Sequence, residues 1–294
     1  MKRFLIIYRK ILDSAILPAW IRRFVERIGL RLFRPVMWKP ADRQDLYLLN
    51  PNEARPFFLA LDWYDGTDVR FLLNGLYERA NALAVLRLMK SGGIFVDVGA
   101  NVGFFSFLVA GSCPSSRVCA IEPVSRNIRA LRKAKEANGS TNVEIIHAAV
   151  SDGDGETKIK YRFLDSGSPS IVGYFGSKAV VEEFMMEEDV RLVSLVSLMH
   201  RNGDGSRVRC VKIDAQGAEL DVLKGAKKLL EDGRIEHLII EHNETAYGRK
   251  VRDFLLQFGY VPHHIGLDGT LVPLASGEDL RHKRDYLYAS RGAK

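Results

Sequence analysis

Cysteine is scarce in this chain. Cys113, Cys119 and Cys210 are three in 294 residues, with no C-x-x-C pair. That count and spacing argue against a disulfide framework and against a thiolate zinc site. Cys119 and Cys210 fall in predicted strands, where a thiol packs as a small apolar group. The usage points to a reducing, cytoplasmic setting. Long hydrophobic runs are missing as well. No stretch approaches the ~20 apolar residues that a membrane-spanning helix needs. Lys2-Arg3 followed by Phe4–Ile7 imitates a signal peptide, but Arg9, Lys10 and Asp13 interrupt it too soon. No internal repeat and no long low-complexity tract is present. A full dinucleotide fingerprint, G-x-G-x-x-G, is lacking too. Its positions hold Gly99, Asn101 and Phe104, so the second and third glycines are absent.

What remains is a globular composition, 47% hydrophobic and 27% charged, with enough apolar side chains for a sizeable core. The net charge of +7 is concentrated at the start. Residues 1–40 hold ten basic side chains against Asp13 and Glu26, so the rest of the chain is close to neutral. This basic arm reads as two short amphipathic helices broken at Pro18. Phe4, Ile7, Ile11 and Ala15 share one face. Trp20, Phe24, Ile28 and Leu32 recur every fourth residue in the second helix. An apolar face beside a basic one suits an anionic membrane surface, which makes peripheral contact at the inner face of a membrane one reading of the arm. A helical cap on the domain or on a second subunit is another, and contact with nucleic acid a third. Residues 41–75, with Pro51, Pro56 and Gly66, read as a connecting subdomain, and residues 76–294 as the main domain.

The most informative segment is Ile94-Phe95-Val96-Asp97-Val98-Gly99-Ala100-Asn101-Val102-Gly103. A short apolar run of this kind suits a strand covered on both faces. Gly99 and Gly103 permit a sharp turn and close backbone approach to a ligand. The apolar stretch after Gly103 reads as a helix beneath the sheet. Strand, glycine turn and helix in that order form the nucleotide-binding edge of a doubly wound α/β domain. Further strands are expected near 117–122, 143–147, 157–163, 190–195, 208–213, 235–241, 260–265 and 285–289. Helices are expected over 76–89, 102–111, 124–138, 217–231 and 247–258. The alternation predicts a mostly parallel sheet with helices on both faces and an N-terminal helical extension. Residues 164–180 are the most loop-like internal stretch, which suggests a lid or an acceptor-binding loop.

Ligands of such sheets bind beyond the carboxyl ends of the strands. Five successive strand ends here carry polar groups: Asp97, Gly99 and Asn101; Glu122; Ser151 and Asp152; Asp214; and Glu241-His242-Asn243. Unpaired carboxylates are disfavoured inside a sheet, so packing alone explains the series poorly. Asp97, two residues before the first glycine, would repel a pyrophosphate. It suits a ligand with a cationic amino-acid end, as S-adenosylmethionine (SAM) has. Glu122 lies 19 residues after Gly103, well placed to accept hydrogen bonds from both ribose hydroxyls. A glycine turn in an α/β domain that binds some other ligand is the competing reading.

The motifs Phe95–Gly103, Ile121-Glu122-Pro123, Ala149-Val150-Ser151-Asp152, Lys212–Glu219 and Phe258-Gly259-Tyr260, in this order, resemble the FkbM family of SAM-dependent methyltransferases. The resemblance covers residues of roughly 70–265 and leaves out the basic arm. It implies a Rossmann-like class I methyltransferase sheet and methyl transfer, usually to a hydroxyl of a sugar, glycoconjugate or natural product. Two positions depart from the family pattern. Val196 stands where the family has an acid before the fourth strand, and Gln216 replaces an acid before Gly217.

Methyl transfer to oxygen is an in-line displacement that needs the acceptor held close and its proton removed. His242 and Asp214 are the candidate catalytic residues. A histidine has the better placed unperturbed pKa, near 6.5. His242 also reads as a strand-end histidine satisfied by a backbone group, and Glu219 as a charge matching the first turn of its helix. Asp97, Gly99, Asn101, Gly103, Glu122, Ser151 and Asp152 are the candidate cofactor-binding residues. No metal is expected, since nothing like H-x-E-x-H accompanies Asp214 and Glu219. A nucleic-acid methyltransferase and a non-catalytic membrane-associated scaffold are the alternative functions. Amino-methylating enzymes usually carry an Asn/Asp-Pro-Pro-aromatic motif after the fourth strand, and Asp214-Ala215-Gln216-Gly217 holds no proline.

Overall fold

Short β-branched runs separated by amphipathic segments dictate the architecture, and the elements follow the sequence pattern closely. A computed structural model describes residues 44–62, 65, 68, 71, 76–162, 165–171, 185–201, 207–241, 246–274 and 285–290. The basic arm and His242 lie outside the described residues. The chain begins with a hairpin, β1 (Asp45–Leu49) and β2 (Phe57–Leu61), followed by α1 (Arg79–Met89). Next come β3 (Gly93–Val98), α2 (Phe104–Ser112), β4 (Ser116–Glu122), α3 (Ser125–Asn138) and β5 (Val143–His147). An inserted group follows: β6 (Ala149–Val150), β7 (Gly155–Arg162), β8 (Asp165–Ile171), β9 (Met185–Val193) and α4 (Leu195–Arg201). The chain then runs through β10 (Val208–Ile213), α5 (Glu219–Lys224), α6 (Lys227–Glu231), β11 (Ile235–Glu241) and α7 (Ala246–Gln257). It closes with β12 (Tyr260–Ile265), β13 (Leu271–Pro273) and β14 (Asp285–Ser290).

The main sheet has the order β13-β12-β14-β11-β10-β3-β4-β5. Its strands from β11 to β5 are parallel. β14 inserts antiparallel between β11 and β12. Strand order reverses at the β3–β10 boundary, so a crevice opens there at the carboxyl ends. This is the mostly parallel, doubly wound Rossmann-like fold that the sequence predicts.

Period-two alternation divides the sheet between two cores. Phe95 and Cys210 pack on the face covered by α1 and α2. Ile94, Val96, Val98, Val211 and Ile213 pack on the opposite face, with α5, α6 and α7. Asp97 and Lys212 pair in register and fall on the first face. The hairpin shares that first core through Leu49, Phe57, Leu59 and Leu61. It is tied down further by the buried Arg126 of α3, whose guanidinium meets Asp62 at 2.7 Å and Asp65 at 3.1 Å.

Three expectations are corrected. The segments near 157–163 and 190–195 do not extend the parallel sheet; β6, β9, β7 and β8 form a separate four-stranded sheet. Residues 165–171, inside the stretch read as a loop, are strand β8, paired antiparallel to β7. The continuous helix expected over 217–231 is two helices. Gly225 separates them where a Cβ would lie 1.9 Å from the Ser151 carbonyl oxygen, so the backbones touch. Among the described residues, no helix is long and apolar enough to cross a membrane.

Candidate active site

The turn after β3 is built by backbone hydrogen bonds to its neighbour strand. Gly99 and Ala100 both donate to the Ile121 carbonyl at 3.0 Å. Gly99 sits at φ +76°, and a Cβ there would lie 2.1 Å from the Asp214 carbonyl oxygen. The close approach that demands glycine is therefore made by the end of β10. Gly103, at φ +94°, starts α2; a Cβ would collide with Phe107 and Leu131. It faces helix packing rather than the cleft. Asn101 between them is left-handed at φ +53°, a conformation asparagine tolerates better than most residues.

The cleft opens at the switch point, with a volume of about 50 Å³. Val98 and Gly99 line it from β3, Ile121 and Pro123 from β4, Ala148–Val150 from beyond β5, and Asp214–Gln216 from beyond β10. Ile159 of the second sheet adds an apolar wall that sequence reading did not assign.

Glu122 stands at the tip of β4, 1% exposed. Its Oε2 accepts from the Asn101 N–H at 2.8 Å, and its Oε1 from Val124 N at 3.0 Å and Asn127 Nδ2 at 3.1 Å. Burial pushes its pKa up to about 7, although those three donors pull the other way. Glu122 thus fixes the turn and keeps lone-pair capacity for a further donor. Asn101 Oδ1 is buried with no partner among the described residues, a second acceptor left open at the turn.

Asp97 lies near the end of β3, one residue before Val98. It is 1% exposed and does not line the cleft. Its alternation puts it on the α2 side, where Ser106 Oγ donates to Oδ2 at 2.7 Å. Burial raises its pKa, while Lys212 and Ser106 pull it down. Lys212 is itself buried, 3.6 Å from Asp214 Oδ2 and 4.6 Å from the centre of the Phe105 ring. Burial opposes its charge, but Asp214, Glu78 and Asp97 outweigh that and push its pKa above the usual lysine value. Asp214 Oδ1 also accepts from Gln216 Nε2 at 2.6 Å. Ser151 and Asp152 pair with each other at 3.3 Å, and Ser151 N donates to Val193 O. Their neighbours Ala148–Val150, not they, line the cleft.

Three non-glycine residues have positive φ among the described residues: Glu78, Asn101 and Gln216. Gln216 lines the cleft, Asn101 lies in the turn that follows Gly99, and Glu78 acts on Lys212. Such strain, about 1–3 kcal/mol each, gathers where geometry serves function. Lys212 and Glu78 were missed as site residues. The signal for Lys212 was available, since a lysine inside a buried strand needs carboxylate partners. Glu78 gives no comparable signal, because it precedes α1 and reads as part of that helix.

The Methyltransferase FkbM domain model matches residues 97–262, more than half of the chain. The chain belongs to the FkbM methyltransferase family. The cofactor of this FkbM domain is therefore SAM, and its chemistry is methyl transfer. Among curated relatives, methyltransferase SdnD of Sordaria araneosa is 26% identical over 207 residues, covering 63% of this chain and 73% of that protein. AMB antimetabolite synthetase AmbE of Pseudomonas aeruginosa is 25% identical over 192 residues, 55% of this chain. The FkbM chain spans only 9% of AmbE. Among solved structures, precorrin-6y C5,15-methyltransferase of Geobacter metallireducens GS-15 aligns over 71% of this chain and 84% of its own, at 15% identity and a TM-score of 0.38.

The residues present fit the cofactor. The open acceptors of Glu122 and Asn101 suit ribose hydroxyl donors, and the apolar wall of Ile121, Pro123, Ala149 and Ile159 suits a flat base. Val196, which stands where the family pattern has an acid, belongs to the first turn of α4; its N–H donates to the Gly225 carbonyl. Ser194 Oγ caps that helix by accepting from Ser197 N at 3.1 Å. Among the described residues, no group of three or more His, Cys, Asp or Glu is placed to hold a metal.

Proposed function

We propose that this protein is a SAM-dependent O-methyltransferase that acts on a hydroxyl of a sugar, glycoconjugate or related natural product. The observation that carries this reading is the cleft between β3 and β10, with Gly99 pressed on Asp214 and Glu122 holding the turn. Bound SAM supplies an electrophilic methyl group on a sulfonium. Glu122 and Asn101 hold the ribose, and Ile121, Pro123, Ala149 and Ile159 enclose the adenine. Gly99 and Gly103 shape the turn. Asp97 acts from behind the turn, as a charge near the cofactor's amino-acid end. Ser151 and Asp152 support the adenine wall from outside it.

The acceptor enters where Asp214 meets solvent. Asp214 orients the hydroxyl and His242 takes its proton. Lys212 anchors the Asp214 carboxylate from 3.6 Å, and positioning supplies much of the acceleration. A general base contributes about 10²–10⁴-fold. The family resemblance supports an oxygen acceptor, and the proline-free turn Asp214–Gly217 disfavours base amino-methylation. Residues 1–40 are proposed as a peripheral membrane arm, which would bring lipid-linked acceptors to the site.

The test offers the full-length protein methyl-labelled SAM with separate pools of glycans, lipid-linked saccharides, RNA and DNA. Label in an alkali-stable ether of a glycan or saccharide is expected. Label in RNA or DNA alone would overturn the acceptor class. Deleting residues 1–40 should abolish binding to anionic vesicles without abolishing SAM binding; vesicle binding that survives the deletion would refute the membrane reading of the arm.

A further inference from the structure

Asp214 joins the cleft to a second polar group on the α1 side of the sheet. Tyr77 and Glu78 precede α1, and an aromatic cluster fixes their place. Tyr77 packs edge-on against Phe71 at 4.7 Å and against Phe104 at 5.7 Å, and Phe104 begins the helix that follows the glycine turn. Glu78 is thereby carried to the Lys212 end of β10. Its backbone is left-handed, φ 44° and ψ 53°, and its side chain makes no cap for α1. Instead Oε2 accepts from Asn81 Nδ2 at 3.1 Å, and the carboxylate acts on the Lys212 ammonium together with Asp97 and Asp214.

Three carboxyl groups thus face one ammonium. Asp97 is buried against Ser106, and Asp214 is engaged with Lys212 and Gln216. Glu78 is only half-buried. Beside it, Asn81 is 2% exposed, and its Oδ1 has no hydrogen-bond partner among the described residues. The open positions in this corner are therefore acceptors. A ligand that fills them must carry N–H donors and positive charge, as an alkylammonium with three donors does.

We propose that Glu78 binds the α-ammonium of the cofactor's methionine end, with Asn81 Oδ1 as a neighbouring acceptor. This inference rests on the reading of the cleft as the SAM site. It assigns direct contact with that ammonium to a residue outside the glycine motif, and leaves Asp97 behind it.

Two ligands separate the proposal from its premise. S-adenosylhomocysteine carries the ammonium; 5′-methylthioadenosine has the same adenosine without the amino-acid end. Both are titrated calorimetrically into the full-length protein. Wild type should bind both. Glu78→Gln should weaken S-adenosylhomocysteine about 10- to 100-fold, the range of a charge-assisted hydrogen bond. It should change methylthioadenosine less than about twofold on the same scale. Glu78→Gly, which suits the left-handed backbone while removing the carboxylate, should repeat that pattern. Equal losses for both ligands in the two variants, or wild-type affinity for S-adenosylhomocysteine, would overturn the assignment of Glu78. Failure of wild type to bind either ligand would instead remove the SAM site and this inference with it.

Discussion

Glu122 makes the binding of cofactor depend on pH in a defined direction. Its carboxyl group is buried at the tip of β4, and burial pushes its pKa up to about 7 from the ordinary 4.5. The ionised form accepts from Asn101, Val124 and Asn127 and retains capacity for a ribose hydroxyl. The protonated form presents a donor and loses part of that capacity. Affinity for S-adenosylhomocysteine should thus be level above neutrality and fall toward tenfold per pH unit below it. At pH 5.5 the loss relative to pH 8 should be about 30-fold, or about 2 kcal/mol. The unliganded fold should respond in the opposite sense. The unfolded group loses its proton near 4.5 and the native one near 7, so the native state holds more protons between them. Stability is then full below that window and falls by about 3 kcal/mol as pH rises through it. Calorimetric titration over that pH range, with urea unfolding in parallel, measures both. Glu122→Gln should flatten the two profiles together and weaken the ligand about 10- to 100-fold at pH 8. A wild-type affinity that is the same at pH 5.5 and 8, or a Glu122→Gln protein that binds as tightly as wild type, would refute this reasoning.

Three further substitutions test how the site is held. Gly99→Ala would force a Cβ to within 2.1 Å of the Asp214 carbonyl at a positive φ. It should cost at least ~2 kcal/mol of stability and reduce ligand affinity, read by unfolding and titration. Lys212→Met strips Asp97 and Asp214 of their counter-charge; the loss of stability should be larger at pH 8 than at pH 5, where a buried carboxyl can keep a proton. Equal losses at both pH values would show that Lys212 matters only for packing. Arg126→Met removes the guanidinium from the buried Asp62 and Asp65, which should cost about 3–5 kcal/mol in urea unfolding.

Much of the main sheet is legible in the sequence because its strands are covered on both faces. Runs such as Val208–Ile213 and Ile235–Glu241 are continuous enough to be bounded to the residue. The glycine turn and Glu122 are legible because their backbone roles demand specific residue types. The second sheet is not. β7 and β9 look like any other strands, and only the pairing of β6 with β9 and of β7 with both β8 and β9 removes them from the main sheet. β8 has the composition of a loop, Asp-Ser-Gly-Ser-Pro-Ser-Ile, and becomes a strand through its pairing with β7. The hairpin β1–β2 is obscured because only one of its strands is well buried. At the site, the motif singles out Asp97 along the chain, but the face it occupies is set by the strand's alternation. Alternation with Phe95 turns it to the α2 side, away from the cleft. Glu78 is illegible because its role depends on a contact between α1 and β10 that no local pattern encodes.

The most direct measurement is calorimetric titration of the full-length protein with SAM and, separately, with NADH, repeated for Glu122→Ala. Saturable one-to-one binding of SAM, no binding of NADH, and loss of SAM binding in the variant are the results that the cleft at the β3–β10 switch point predicts. A wild-type protein that binds no SAM, or a Glu122→Ala variant that binds it undiminished, would contradict that assignment.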